Sequence, residues 1–290
     1  MRAGSGSSAT GARMKRVLEL WRLYAYLDLV WIARDLRSAI GYYLSDAVAG
    51  VGAVLGTLLL AERFAGLGGW TRGQVIFMLG YGVLASGVLE VFFNYNVKFI
   101  SRRLGRGQLD HTLVQPHPIW TTFLTEGFAP FSGSPMLVPG VALIAWSSTL
   151  TELPATLGWW LAFVVNLAAS AAIVLAFSFL WGSLAFWAPR AAEEVSTSAM
   201  RMTDQLKGFP LDGLSVGARV GLLTAIPAGF VAWLPSRALL SIEGANPLAL
   251  LLTPLAAVAL VLVAALAFRA GLAEYRRTGS RRYTDFGHRR

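Results

Sequence analysis

Long apolar segments alternate with short polar connections along this chain. Residues 127–151, 153–189 and 244–268 contain no Asp, Glu, Lys or Arg, while residues 38–61 and 73–97 contain one acid each. A helix needs about 20 apolar residues to cross the hydrocarbon core of a bilayer, whereas helices of soluble domains keep one polar face. The pattern therefore predicts an all-α polytopic membrane protein.

The apolar segments predict six transmembrane helices within one membrane domain over residues 39–270. Five of the spans are placed directly at about 39–61, 74–96, 121–148, 157–187 and 246–269. The third contains Pro130, Pro135 and Pro139. Proline removes a backbone donor and clashes with the preceding turn, so we expect this span to be kinked or broken.

The polar stretch before the last span allows two interpretations. In the first, residues 190–208 cross as a polar fifth helix, and residues 214–240 form re-entrant helices. In the second, residues 190–215 are a cytoplasmic amphipathic segment and residues 217–240 cross. Both interpretations give six crossings.

The two ends of the chain are polar and basic. Residues 1–13 are expected to be a disordered lead, and residues 271–290 a cytoplasmic tail. Residues 14–38 repeat apolar side chains at helical spacing, namely Val17, Leu20, Tyr24, Leu27 and Trp31. This pattern is typical of an amphipathic helix in the plane of the membrane interface, and also of a cytoplasmic helix packed on the bundle.

The net charge of +9 bears on orientation more than on binding partners. Lys and Arg are concentrated before the first span, in the connection at 98–118 and after residue 268. Basic residues mark the cytoplasmic side of a membrane protein. We therefore expect a plasma (inner) membrane protein with both termini and the 98–118 connection in the cytoplasm, residues 66, 152 and 244 outside, and no nucleic-acid partner.

Catalytic and cofactor chemistry is poorly represented in the sequence. The chain has no Cys, and its three His show no metal-ligand spacing. The residues after Lys15, Lys98 and Lys207 exclude the G-x-x-x-x-G-K-[ST] loop that binds nucleotide phosphates. We expect a non-catalytic subunit without cofactors, so that any ATP and Mg²⁺ would bind to a separate polypeptide.

The 98–118 connection combines charge with a short helical pattern. Arg102, Arg103 and Arg106 begin it, Gly105 and Gly107 are expected to loosen it, and Leu109, Asp110 and Leu113 lie at helical spacing before Pro116. A short cytoplasmic helix of this kind suits a mechanical contact with a partner. A passive interfacial loop anchored by Arg is the alternative.

The connection also resembles a known family. Its residues from Gly107 to Pro116 match the G-x-L-D-x-x-L-x-x-P segment of ABC-2 type exporter permeases. Other similar segments are Tyr42-Tyr43, the pairs Phe209-Pro210, Ile226-Pro227 and Leu234-Pro235, and the closing Y-x-x-x-G at Tyr275–Gly279. The resemblance covers about residues 20–283.

The resemblance implies six-span subunits that pair with an identical or paralogous permease and with two ATPase subunits. It implies that residues 105–117 are the coupling helix, that residues 14–37 are a connecting helix, and that 190–208 is the fifth span. The candidate ATPase-coupling residues are Arg103, Gly105, Gly107, Leu109, Asp110, Leu113 and Pro116.

Four polar residues within the spans are candidates for the pathway or the subunit interface. Glu90 and Asn94 are four residues apart, and Arg201 and Asp204 are three apart and able to pair on one helix face. Charged groups inside a membrane usually face the bundle interior. The alternative for Glu90 is a pair with Arg102 near the interface.

The function expected from these features is that of the permease subunit of an ATP-driven exporter, with an amphipathic compound as one candidate substrate. An ion- or proton-coupled secondary transporter is the alternative, and it would need ionisable groups at the bilayer midplane.

Overall fold

A computed structural model of the chain describes residues 6–63, 69–116, 118–242, 246 and 248–279, and every regular element in these ranges is helical, as predicted. In chain order the α-helices are α1 (Gly6–Arg34), α2 (Leu36–Arg63), α3 (Arg72–Gly105), α4 (Leu109–Leu113), α5 (Ile119–Thr125), α6 (Pro130–Gly133), α7 (Leu137–Ser148), α8 (Leu157–Gly182), α9 (Pro189–Leu206), α10 (Val216–Thr224), α11 (Trp233–Leu239) and α12 (Ala249–Thr278). Short 3-10 helices cover Ser134–Met136, Ser183–Phe186 and Pro227–Phe230.

Within the described residues, three helical segments are long and apolar enough to cross a bilayer. They are Arg72–Asn94, Leu157–Phe186 and Ala249–Thr278, and two bent helix pairs raise the number to five when each pair counts as one span. Neither α2 nor α9 belongs to this set, so six crossings stay a prediction. The loop positions 66 and 244 and the tail beyond residue 279 lie outside the described residues.

The predicted break in the third span is confirmed. Helix α5 and the segment Pro130–Ser148 meet at 45°. The residues between them, which we call the elbow (Glu126–Ala129), are held against α3, because Ala129 N donates to Val91 O at 2.8 Å. A Cβ added at Gly133 would lie 2.7 Å from the Glu90 carbonyl, so glycine permits the close approach of α6 to α3.

The N-terminal helix differs from its predicted limits. Helix α1 already begins at Gly6, so the lead expected to be disordered is helical from that residue onward, and residues 1–5 lie outside the described residues. Adding residues to an existing helix gains one hydrogen bond each without a new nucleus. The helix ends at Arg34 rather than near residue 37.

Asp35 accounts for the early end of α1. Its carboxylate Oδ1 accepts a hydrogen bond from Ser38 N at 3.1 Å, in the manner of an N-terminal cap for α2. Hydrogen bonds from the hydroxyl and the backbone N–H of Ser38 lower the pKa of Asp35, since both favour the charged form.

The bundle has two ends, which we name after one residue each. The Trp70 end holds the start of α3, the start of α8 and most of α11, packed around Trp70, Trp159 and Trp233. The Arg103 end holds the last turn of α3, α4, and the C-terminal parts of α8 and α12, packed around Leu104 and Phe268.

Helix α9 runs antiparallel to α3 between these ends. At its start, Arg102 Nε donates to Glu193 Oε1 at 2.7 Å. Just after its end, Lys207 Nζ donates to Ser86 Oγ at 2.7 Å, more than four turns back along α3. This course favours the first interpretation of the polar stretch, in which 190–208 crosses.

The α10–α11 pair enters and leaves at the Trp70 end. Helix α10 and the segment Pro227–Leu239 are bent by 74°. The Phe230 carbonyl, at the end of the 3-10 helix that follows the bend, accepts from Ser170 Oγ at 3.0 Å in the middle of α8. The Leu239 carbonyl, at the far end of α11, accepts from Trp159 Nε1 at 2.9 Å near the start of α8. These depths favour a re-entrant pair, which descends and returns, over a broken span.

Side chains of α8 satisfy backbone carbonyls that helical bonding leaves open. Pro254 lies inside α12 and has no N–H to donate to the Leu250 carbonyl. Asn166 Nδ2 donates to that carbonyl at 3.1 Å. Within a bilayer, no water is present to satisfy such groups, so internal donors are required.

We predict that Asn166→Ala lowers the free energy of unfolding by about 1 kcal/mol, since the Leu250 carbonyl loses its donor in an apolar setting. Thermal unfolding of the purified chain in one detergent measures the change. In a Pro254→Ala background residue 254 can donate to the carbonyl, so the cost of Asn166→Ala should largely disappear there. Equal costs in both backgrounds would rule out this role of Asn166.

Candidate functional site

The last turn of α3 leads into α4 through a defined turn. Arg106 caps α3, and Gly107 follows with φ +71, a conformation that glycine adopts without a Cβ penalty. Gln108 N donates to Arg103 O and Gly107 N to Leu104 O, both at 3.1 Å, which together form a Schellman motif. Gly107 therefore fixes the direction of the connection, whereas the sequence led us to expect that it loosens it.

A buried guanidinium joins three helices at this point. Arg103 is 4% exposed, and its Nη1 donates to Glu126 Oε2 in the elbow. Its Nη2 donates to Thr112 Oγ1 of α4 at 2.6 Å. The guanidinium carbon lies 5.2 Å from the ring centroid of Phe123 on α5. Because a buried charge needs all of these partners, α3, α4 and the elbow are tied to one another.

Leu109 lies inside the chain's own core. It is fully buried and packs in the cluster that contains Ile100, Leu104, Phe123 and Phe268. The sequence marks Leu109 as a candidate ATPase-coupling residue, and its burial places it on the inner side of the 109–116 segment rather than on its open surface. The physical reason is that the turn at Gly107 directs the first residue of α4 toward α3 and α12, so Leu109 anchors the segment.

Asp110 connects α4 to the last helix. Tyr275 Oη donates to Asp110 Oδ1 at 2.5 Å. These residues belong to two motifs that are 165 positions apart in the chain. This hydrogen bond joins the G-x-L-D-x-x-L-x-x-P segment to the closing Y-x-x-x-G segment. Helix α4 is therefore tied to α12, in addition to its contact with Arg103 of α3.

The other face of the 109–116 segment is open. Leu113 is 38% exposed and Val114 is 82% exposed. The side chains of His111, Gln115 and Pro116 are exposed too, whereas Thr112 and Gly105 are buried. The segment therefore presents an apolar surface, which we call the Val114 surface (Leu113, Val114 and Pro116), on a rigidly held base.

Helix α1 packs on the elbow through residues that the sequence did not single out. Asp28 Oδ2 accepts from Phe131 N at 2.8 Å and from Ser132 N at 3.0 Å. The ring of Trp21 stacks on Phe128 at 5.3 Å. Of the apolar set predicted to form one face, Leu27 and Trp31 are each 49% exposed. The helix thus holds the bent third span through Trp21 and Asp28.

Tyr24 extends the same contact toward Arg103. Burial, followed by the nearby Glu126 carboxylate, raises the pKa of Tyr24, and the Arg103 guanidinium acts in the opposite direction. The phenol, the carboxylate and the guanidinium are therefore electrostatically coupled where α1, α3 and the elbow meet.

The four polar candidates within the spans lie on different helix surfaces. Glu90 and Asn94 are half-buried on α3. Arg201 and Asp204 are exposed on α9. Asp204 pairs with Lys207 Nζ at 2.7 Å, so the expected pair with Arg201 is replaced by one with the next basic residue along the helix. Arg102 pairs with Glu193.

Within the part of the chain that the structure describes, no group of three or more His, Cys, Asp or Glu is placed to hold a metal ion. Contacts at the Arg103 end join the 109–116 segment to α3, to α5 and to α12, and they join α3 to the elbow of the third span.

We predict that Asp110→Asn and Tyr275→Phe each lower the free energy of unfolding by about 1 to 3 kcal/mol, because a charge-assisted hydrogen bond is lost. The double variant should cost clearly less than the sum, since both changes remove one contact. Chemical unfolding in detergent measures the free energy of unfolding of the native chain, the two single variants and the double variant. The control is Arg277→Gln, which removes the ion pair of an exposed arginine with Glu274. Additive effects would show that the two residues act independently.

Comparison with known proteins identifies a family for the chain. Residues 47–279 match the family model described as ABC-2 family transporter protein. No curated protein and no solved structure matches the chain. The match covers well over half of the sequence, including α3 to α12 and most of the hydrogen-bonded residues described above. Members of this family are typically non-catalytic membrane subunits that associate with ABC ATPases. The chain belongs to the ABC-2 family of transporter membrane proteins.

Proposed function

We propose that this protein is the permease subunit of an ATP-driven exporter and that the Val114 surface docks on a separate ATPase subunit. The supporting observation is the combination of an exposed apolar surface with a base that is tied to three other elements. Val114 is 82% exposed, while its neighbours Leu109 and Thr112 are buried. A partner that pushes on this surface displaces α3, α12 and the elbow together.

The nucleotide belongs to the partner in this proposal. The three Lys of the chain lack the flanking residues of a phosphate-binding loop. ATP and Mg²⁺ would bind to two ATPase subunits, one for each permease, and the permease itself would carry out no hydrolysis. The energy of nucleotide binding would reach the spans through the 109–116 segment.

We infer that the Arg103 end faces the cytoplasm. The basic residues of the 98–118 connection and of the segment after residue 268 support this orientation. Helices α2, α3, α5–α7, α8, α9 and α12 would be the six crossings of a plasma (inner) membrane, and α10–α11 the re-entrant pair on the outer side.

Helix α9 supports a pairing of two permease copies. Its buried face consists of small residues, whereas its exposed face carries Glu194, Thr197, Ser198, Arg201, Asp204 and Gln205. Such a face is too costly in contact with lipid tails. It would therefore line a water-filled pathway shared with a second, identical or paralogous, permease.

The contrast between polar and apolar helix faces also supports an amphipathic substrate. Helix α12 exposes Leu255, Val258 and Leu262 to the surroundings, while the proposed pathway is polar. An amphipathic compound that moves with its polar part along α9 and its apolar part in lipid fits both surfaces. Ion- or proton-coupled transport remains the alternative, but it would give the Val114 surface no role.

The docking proposal predicts that Val114→Arg weakens ATPase binding about tenfold or more, since an unpaired charge would be buried in an apolar contact. The measurement is the ATP hydrolysis and the amount of ATPase subunit that co-purify with the tagged chain from its native membrane. Val216→Arg, an exposed valine (75%) at the Trp70 end, is the matched control. Unchanged co-purification of the Val114→Arg chain would refute the docking surface.

The orientation proposal predicts opposite labelling at the two ends. Because the chain has no Cys, Arg106→Cys and Glu152→Cys each introduce a single thiol at an exposed position. An impermeant maleimide applied to intact cells should label position 152 and should reach position 106 only after the membrane is opened. Labelling of position 106 from outside would overturn the orientation.

A further inference from the structure

A second charged cluster lies at the Trp70 end, far from the proposed ATPase contact. Asp212 follows α9, and its side chain is 16% exposed. Its Oδ2 accepts from the indole Nε1 atoms of Trp70 and Trp233, both at 2.6 Å. Its Oδ1 accepts from Arg237 Nη1 at 2.7 Å. One carboxylate thus satisfies three donors from two other segments of the chain.

A second arginine reinforces the same cluster. Arg219 of α10 donates through Nη2 to the backbone carbonyl of Asp212 at 2.9 Å. The guanidinium carbons of Arg219 and Arg237 lie 5.9 and 5.3 Å from the ring centroid of Trp233. Cation–π contacts therefore add to the hydrogen bonds that hold α10 and α11 near Asp212.

The cluster connects the re-entrant pair to the fixed part of the bundle. Trp70 immediately precedes α3, whereas Trp233 and Arg237 belong to α11 and Arg219 to α10. Between them the pair carries Val231, which is 1% exposed and packs against Ala85 and Leu89 of α3. The position of Val231 deep in the bundle thus depends on whether the pair stays seated.

We propose that Asp212 is the latch that closes the Trp70 end of the bundle: it is a positioning residue that acts through Trp70, Trp233 and Arg237. If the pair moves away, Asp212 cannot keep both Trp70 beside α3 and the two α11 donors, Trp233 and Arg237, as partners. Its carboxylate therefore loses hydrogen bonds in any released arrangement, and partial opening gains little. Such shared dependence favours two discrete arrangements, one seated and one released. This inference deepens the proposed transport function by naming what holds the gate opposite the ATPase contact.

The test uses the full chain in lipid nanodiscs without ATPase, so its outcome is independent of the docking experiment. Val231→Cys introduces a smaller side chain with a thiol on the buried face of the re-entrant pair, and a water-soluble maleimide reports its exposure. Asp212→Asn keeps the shape but removes the charge. We expect the thiol at position 231 to react about 10- to 100-fold faster in that background, the factor by which hydrogen bonds to a charged group stabilise a closed state.

Two controls distinguish the release of the re-entrant pair from a general loosening of the helix bundle. Ile100→Cys places a thiol at an equally buried position (1% exposed) at the Arg103 end, and its labelling should be unchanged by Asp212→Asn. Asp212→Glu retains the carboxylate and should restore most of the protection of position 231. An unchanged rate at 231, an equal increase at 100 and 231, or a Glu variant as reactive as the Asn variant would each overturn the latch.

Discussion

The arrangement of the Arg103 end depends on one buried positive charge. Arg103 is almost fully enclosed, and removing a guanidinium from water is costly unless each donor finds a partner. The partners come from different places: Glu126 from the elbow, Thr112 from α4 and the ring of Phe123 from α5. Because losing any of them leaves a buried charge less satisfied, the three elements are held in one geometry. A short helix of five residues, unstable alone, becomes a rigid part of the bundle in this way.

The same requirement for hydrogen-bond partners applies at the Trp70 end, where the charge is negative. There, the partly buried carboxylate of Asp212 accepts from several donors, and α8 supplies side chains to carbonyls of the α10–α11 pair and of α12. Irregular backbone at membrane depth requires internal partners. A transporter moves through such irregular segments. The polar side chains that bond to them can therefore control which arrangement the bundle adopts. The two ends are joined by α3, which carries contacts of both clusters.

Much of the architecture could be predicted from the sequence because it follows from local composition. Charge-free segments placed the long helices, prolines located the break in the third span, and Pro116 marked the end of the α4 segment. The re-entrant course of 214–240 and the path of α9 remained open, because hydropathy alone does not distinguish a polar crossing helix from an amphipathic one. Contacts of Glu193 and Lys207 with α3 favour the crossing path of α9.

The site was less predictable, since its contacts join residues far apart in the chain. Asp110 and Tyr275 were both singled out from motifs, but their contact with each other was not predicted. Arg103 was a candidate coupling residue, whereas its partner Glu126 was not singled out. Asp212 and Trp70 are 142 positions apart. The burial of Leu109 was missed because helical spacing shows that a residue lies on an apolar face but not which neighbour covers that face. The available signal for Glu126 and Asp212 was their isolation: each is a lone acid in or beside an apolar stretch, where an unpaired charge would not persist.

Hydrogen exchange of α4 tests most directly whether Arg103 joins the elbow to the proposed docking segment. In Glu126→Gln the elbow loses the charge that Arg103 pairs with, although Glu126 itself belongs to neither α3 nor α4. The amides of Leu109–Leu113 should then exchange faster together with those of α5, while Glu194→Gln, at an exposed acid of α9, should leave both unchanged. Faster exchange confined to α5 and the elbow, with α4 as protected as in the native chain, would contradict the account.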